Sequence, residues 1–122
     1  MGKNYKSIDK DVIEKCFREL MEKGLGLDMS DPNFIETPQR GARSYEEIFA
    51  GLDRADDEIH KIFETSFPTD YTGIVLEKDI TVFSMCPHHF LPIRYEAVIG
   101  YIPNGKALGL SKLARIIELM GK

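Results

Sequence analysis

The apolar residues of this chain change period at Gly73, which limits it to a mixed fold with helices and strands in separate stretches. Before that point, Ile8, Val12, Ile13, Cys16, Phe17, Leu20 and Met21 recur at the three-and-four spacing of one helix face. That spacing predicts a helix over about 8–23. Asp9 and Asp11 fall in its first turn, where acids suit the positive end of the helix dipole, and Gly24 and Gly26 are stop signals. Thr37-Pro38 reads as an N-cap with proline at the first helical position. It opens a second helix over about 38–50, with Ala42, Tyr45, Ile48 and Phe49 as the apolar side and Gly51 as the end. A short third helix is expected over about 55–65, with Ile59, Ile62 and Phe63 inward, before Pro68 interrupts.

Beyond Gly73 the apolar residues are aliphatic, β-branched or aromatic: Ile74, Leu76, Ile80, Val82 and Phe83. They predict an extended strand with an irregularity near Lys78-Asp79. A second strand is expected over about 93–102, where Tyr95, Ala97, Ile99 and Tyr101 alternate with Arg94, Glu96, Val98 and Gly100. Pro103-Asn104-Gly105 is a turn, and a fourth helix starts near Ser111 with Leu113, Ile116, Ile117 and Met120 at helical spacing. Helices, then antiparallel strands, then a helix make an α+β pattern rather than alternating βαβ units. Two strands make a poor sheet by themselves, so more chain or more copies are expected to complete it.

A length of 122 residues fits one domain with a modest core. The net charge of −4 argues against nonspecific nucleic-acid binding, which wants a basic surface, while leaving room for a local basic pocket. No apolar run is long enough to span a bilayer, and residues 1–10 lack the apolar stretch of a signal peptide, so the default location is the cytoplasm. The two cysteines, Cys16 and Cys86, read differently. Cys16 lies on the apolar stripe of the first helix and is expected in the core, whereas Cys86 lies among metal-capable residues.

That cluster is Ser84-Met85-Cys86-Pro87-His88-His89-Phe90-Leu91-Pro92, placed between the two expected strands. A thiolate and imidazoles are preferred zinc ligands. Cys86 and His89, three apart, can face one point in a tight loop, leaving His88 for proton transfer. The plainer alternative is a turn with a buried thiol. It is weakened because two of the chain's three histidines stand beside the cysteine. His60, on an expected helix, reads as a solvated residue.

A second constellation is Gly109-Leu110-Ser111-Lys112-Leu113-Ala114-Arg115. Ser111 is a natural N-cap, which leaves the following backbone N–H groups open to an anion, and Lys112 and Arg115 share a face beside them. By itself the pattern is also that of an ordinary capped, solvated helix. It lacks the glycine-rich GK[ST] core of a Walker A loop.

Cys86-Pro87-His88-His89-Phe90-Leu91-Pro92, then Tyr101-Ile102-Pro103-Asn104-Gly105-Lys106, then Gly109 through Ile116, resemble in order and spacing the signatures of the GTP cyclohydrolase I family. Glu36 through Arg43 and Glu47 through Leu52 look like that family's N-terminal TPxR helix and its ending. The resemblance implies a tunnelling fold whose strands and helices join across subunits into a barrel, usually a decamer with active sites between subunits. It implies that GTP is hydrolysed with loss of C8 as formate and recyclised to 7,8-dihydroneopterin triphosphate, the first step towards folates and pterins. Carried over by position, Cys86 and His89 would bind Zn2+, His88 would transfer a proton, and Ser111, Lys112 and Arg115 would hold the triphosphate, joined by Arg40 and Arg43. Pro87 departs from the acid that many members carry there. The family continues with a guanine-binding glutamate and a His-x-Cys segment bearing the third zinc ligand. On that reading 1–70 is a helical region and 71–122 the first, truncated part of the catalytic domain. The other expectation is a non-catalytic zinc- or nucleotide-binding relative.

Overall fold

The computed structural model describes residues 7–122, which divide into two compact units, 7–53 and 54–122.

In the first unit, α1 (Lys10–Glu19) starts two residues later than the apolar pattern suggests. The cause is Asp9, which is extended and caps the helix, its Oδ1 accepting from the N–H groups of Asp11 and Val12 at 3.1 Å each. Past Glu19 the coil widens into a π-helical turn, Leu20–Gly24, in which the Leu25 N–H donates to the Leu20 carbonyl at 2.9 Å. Two Asx turns follow. Asp28 accepts from Ser30 N–H at 2.9 Å and Ser30 Oγ at 2.7 Å, and Asp31 accepts from Asn33 N–H at 2.8 Å. Helix α2 (Thr37–Ile48) begins with Glu36 at the cap position, and no side chain caps it. Thr37 is therefore not the N-cap. The preceding turn runs straight into the helix, with Thr37 N–H donating to Phe34 O at 2.9 Å and its hydroxyl to Asn33 O at 3.3 Å.

The two helices pack closely because Gly41 has no side chain. A Cβ there would stand 3.0 Å from the Phe17 ring. Phe17 meets Tyr45 edge-on, with centroids 5.0 Å apart. Ile13, Phe17 and Met21 form the covered stripe of the α1 segment, and Met21 is buried. One position earlier, Val12, Cys16 and Leu20 lie exposed. Cys16 is thus not a core residue. A single partner helix covers only a narrow stripe, and the neighbouring apolar row is left outside it.

Helix α3 (Gly51–Glu64) is longer than expected: Gly51 opens it after a two-residue turn instead of ending a longer α2. In the second unit its Ile62 is buried, but Phe63, expected inward, is 53% exposed. Residues around Pro68 pair where only an interruption was foreseen. Strand β1 (Phe67–Pro68) lies antiparallel to β4 (Lys106–Ala107). The larger ribbon joins β2 (Val75–Met85) and β3 (Pro92–Tyr101), antiparallel. Its register shifts between Glu77 and Ile80, where Asp79 takes the left-handed backbone region at φ 61°. Aspartate tolerates that region better than most residues. The shift adds one residue to β2, so Val75 and Glu77 share a face with Ile80 and Val82 despite the change of parity.

Helix α4 (Leu110–Gly121) packs on that face. Leu113 and Ile116 are buried there with Ile80 and Val82, each worth roughly 1.5–3 kcal/mol of apolar burial. At its end Gly121 comes so close to β2 that an added Cβ would meet Val82 Cγ1 at 2.5 Å. The opposite face of the ribbon is open. Leu76 is 58% exposed and Phe83 and Val98 65% each. The described residues therefore form an α+β structure with helices and antiparallel strands. Among them no helix is long and apolar enough to cross a membrane.

Candidate functional site

The segment rich in metal-capable residues is the loop of the β2–β3 hairpin. Its ends are locked by the backbone of Cys86, whose N–H donates to Leu91 O at 2.8 Å and whose carbonyl accepts from Phe90 N–H at 2.8 Å. To close in this way Phe90 adopts φ 57°, a left-handed conformation that costs a side-chain-bearing residue about 1–2 kcal/mol. Strain of this kind gathers at sites with a geometric task.

The loop brings Cys86 Sγ to 3.7 Å from His89 Nδ1. A tetrahedral zinc ion with sulfur at ~2.3 Å and nitrogen at ~2.0–2.1 Å holds two such atoms about 3.6 Å apart. The pair fits a shared zinc ion. Cys86 is half-buried and His89 exposed, so the point between them is open on one side. His88 is also exposed, its ring centroid 6.5 Å from that of His89 and tilted by 56°. It stands beside the pair and outside it. Among the described residues no group of three histidine, cysteine or acidic side chains converges on one point, so these two atoms are a partial ligand set. Cys16 and His60 are exposed helix residues in other parts of the chain.

At the start of α4 the sequence expectation needs correcting. The N-cap is Gly109, extended at φ −63° and ψ 144°, with no side-chain cap, and Lys112 N–H donates to Gly109 O at 2.9 Å. Ser111 is inside the first turn, not at the cap. The helix opens two residues earlier than Ser111 as cap would give, because the Gly109 carbonyl already accepts the first turn's hydrogen bond from Lys112 N–H. The consequence for anion binding is mild. Lys112 N–H is taken by Gly109 O, but those of Leu110 and Ser111 still lack helical acceptors, and Ser111 is exposed beside them.

Arg115 has a partner that sequence patterning did not supply. Its Nη2 donates to Glu58 Oε2 of α3 at 3.0 Å, and Glu58 Oε1 lies 3.8 Å from Lys61 Nζ. The only hint in the sequence is the acidic run Asp56-Asp57-Glu58, and nothing in it foretells a pairing across 57 positions. In the other unit, Arg40 pairs with Glu36 one helical turn back, and Arg43 is exposed on the same helix.

Known proteins agree with the motifs. A family profile described as GTP cyclohydrolase I matches residues 13–122. The chain is 46% identical over 116 residues to GTP cyclohydrolase 1 of Clostridium perfringens (strain ATCC 13124), covering 94% of this chain and 60% of that protein. It is 45% identical over 116 residues to GTP cyclohydrolase 1 of Thermoanaerobacter pseudethanolicus, with the same coverage. Against GTP cyclohydrolase 1 of Rhodopirellula baltica it is 45% identical over 114 residues, 93% of this chain and 48% of that protein. The chain thus spans 60% of the length of the first of these relatives. The hairpin loop and the opening of α4 both fall within the matched stretch, and the chain belongs to the GTP cyclohydrolase I family.

Proposed function

We propose that this chain supplies part of a zinc-dependent GTP cyclohydrolase, which converts GTP to formate and 7,8-dihydroneopterin triphosphate at the entry to tetrahydrofolate and pterin synthesis in the cytoplasm. The observation that carries the reading is the 3.7 Å separation of Cys86 Sγ and His89 Nδ1 on a loop locked by its own backbone.

In this reading Cys86 and His89 hold the metal, and a third ligand comes from residues outside this chain. Bound there, zinc is a Lewis acid that makes water nucleophilic near neutral pH. His88 gives a proton to the purine nitrogen that leaves C8. The first turn of α4 binds the triphosphate through its backbone N–H groups, Ser111, Lys112 and Arg115, with Arg40 and Arg43 as further cations. Pro87, in place of an acid, removes one negative charge from beside the metal. Among the described residues the outer edges of the two-stranded β2–β3 ribbon are unpaired and one of its faces is open and apolar, which supports completion of the sheet by further strands and its coverage by further copies, a tunnelling-fold homo-oligomer on the scale of a decamer.

A second reading is a zinc- or nucleotide-binding relative without turnover. The convergence of only two ligand atoms among the described residues favours it for the chain alone. Both readings are tested by metal analysis and formate release on the assembled protein. Cys86→Ser should lower bound zinc to trace levels and abolish formate release. Zinc retained in that variant, or unchanged turnover, removes the assigned role; zinc bound without formate from the parent protein selects the second reading.

A further inference from the structure

The cations proposed for the triphosphate are not all available to it: Arg40 already holds the carboxylate of Glu36 one turn away on its own helix, and Arg115 one that reaches it from another helix. Glu58 Oε2 accepts from Arg115 Nη2 at 3.0 Å while Glu58 Oε1 lies 3.8 Å from Lys61 Nζ. The acid's side chain is 30% exposed and the guanidinium's 54%, so the acid is the more enclosed partner and the arginine the more accessible one. A phosphate oxygen and a carboxylate oxygen compete for the same N–H donors. If both stay, they repel across the guanidinium.

The geometry points to Glu58 as a competing latch on Arg115: a built-in carboxylate that an incoming polyphosphate must displace, which tunes the site towards highly charged ligands. This rests on the proposed role of α4 in binding a triphosphate. The latch is a specificity device rather than an orienting one. The acid contacts one terminal nitrogen, in the position a phosphate oxygen would use, and Glu58 stands beside two further acids, Asp56 and Asp57, next to a site meant for anions. An acid kept beside an anion site lowers affinity for every anion and leaves only the most charged able to repay its displacement.

Calorimetric titration with inorganic tripolyphosphate tests this on the whole chain and on Glu58→Gln, Arg115→Gln and the double variant. Glu58→Gln keeps size and removes charge. It should tighten binding about two- to five-fold, the factor that corresponds to one exposed ion pair. Arg115→Gln should weaken binding, and in that background Glu58→Gln should give no gain. Unchanged or weaker binding by Glu58→Gln overturns the latch and leaves the polyphosphate reading standing. An equal gain in both backgrounds also overturns it, because the effect is then general charge. Tripolyphosphate binding indifferent to Arg115→Gln overturns the latch and the polyphosphate role of Arg115 together.

Discussion

Cys86 is both the proposed ligand and the clamp of its loop. Its thiol faces His89 while its own N–H and carbonyl close the loop that sets the distance between them. Hydrogen bonds of the same economical kind shape the first unit, where Asp28 takes both the N–H and the hydroxyl of Ser30. The Ser30 hydroxyl, then its backbone N–H, holds the Asp28 carboxyl below the ordinary aspartate range. A depressed carboxyl stabilises the folded loop above its unfolded pKa, and the benefit is lost as pH falls through the lower folded value. Ser30→Ala should therefore raise the Asp28 pKa towards the ordinary value, readable as the carboxyl carbon shift in an NMR titration. An unchanged midpoint would assign the shift to the backbone alone.

At the scale of elements, α4 on β2 carries the core of the second unit. Leu113 is 2% exposed between them. Leu113→Ala should cost about 2–5 kcal/mol of stability, seen as a lower urea midpoint with an unchanged slope. A loss below 1 kcal/mol would mean that the interface collapses around the gap. Much of this architecture was legible in the sequence, because periodicity reports which face is covered: the irregular strand at Lys78-Asp79, the hairpin around Cys86 and the last helix all stand where the patterns put them. The misses have local causes. Thr37 and Ser111 look like caps by residue type, but capping depends on where the backbone first turns, and Glu36 and Gly109 occupy that point. Cys16 and Phe63 fit apolar stripes wider than the area a neighbour covers. The β1–β4 pair is too short to leave a pattern. The Cys86–His89 pairing was readable because both residues share one loop, whereas Glu58 and Arg115 meet only through the fold.

For the molecule as a whole, apolar surface is left over in both units. Val12 lies outward on α1 and Leu20 on the π-helical turn that follows it, and Leu76, Phe83 and Val98 on the ribbon are each more than half exposed. Contiguous exposure on this scale marks a surface that meets something other than water, and the proposed homo-oligomer would cover it. Sedimentation velocity should show a mass above the 13.9 kDa of one chain, rising with concentration. Phe83→Glu with Val98→Lys should shift the distribution to the monomer. Monomeric behaviour of the unaltered chain at all concentrations would count against assembly through the ribbon.

The added residue at Asp79 has one more effect, on which way the start of β2 looks. Alternation along a strand works like a two-beat rhythm, and the bulge inserts a single extra beat between Glu77 and Ile80. Without it, the stretch from Ile80 to Met85 would keep its pairing with β3 through the hairpin loop, and Val75 and Glu77 would swap sides with Leu76. Loss of the one extra amino acid at Asp79 would thus carry Val75 and Glu77 off the covered face and bring Leu76 onto it, while the pairing beside Cys86 stayed in place.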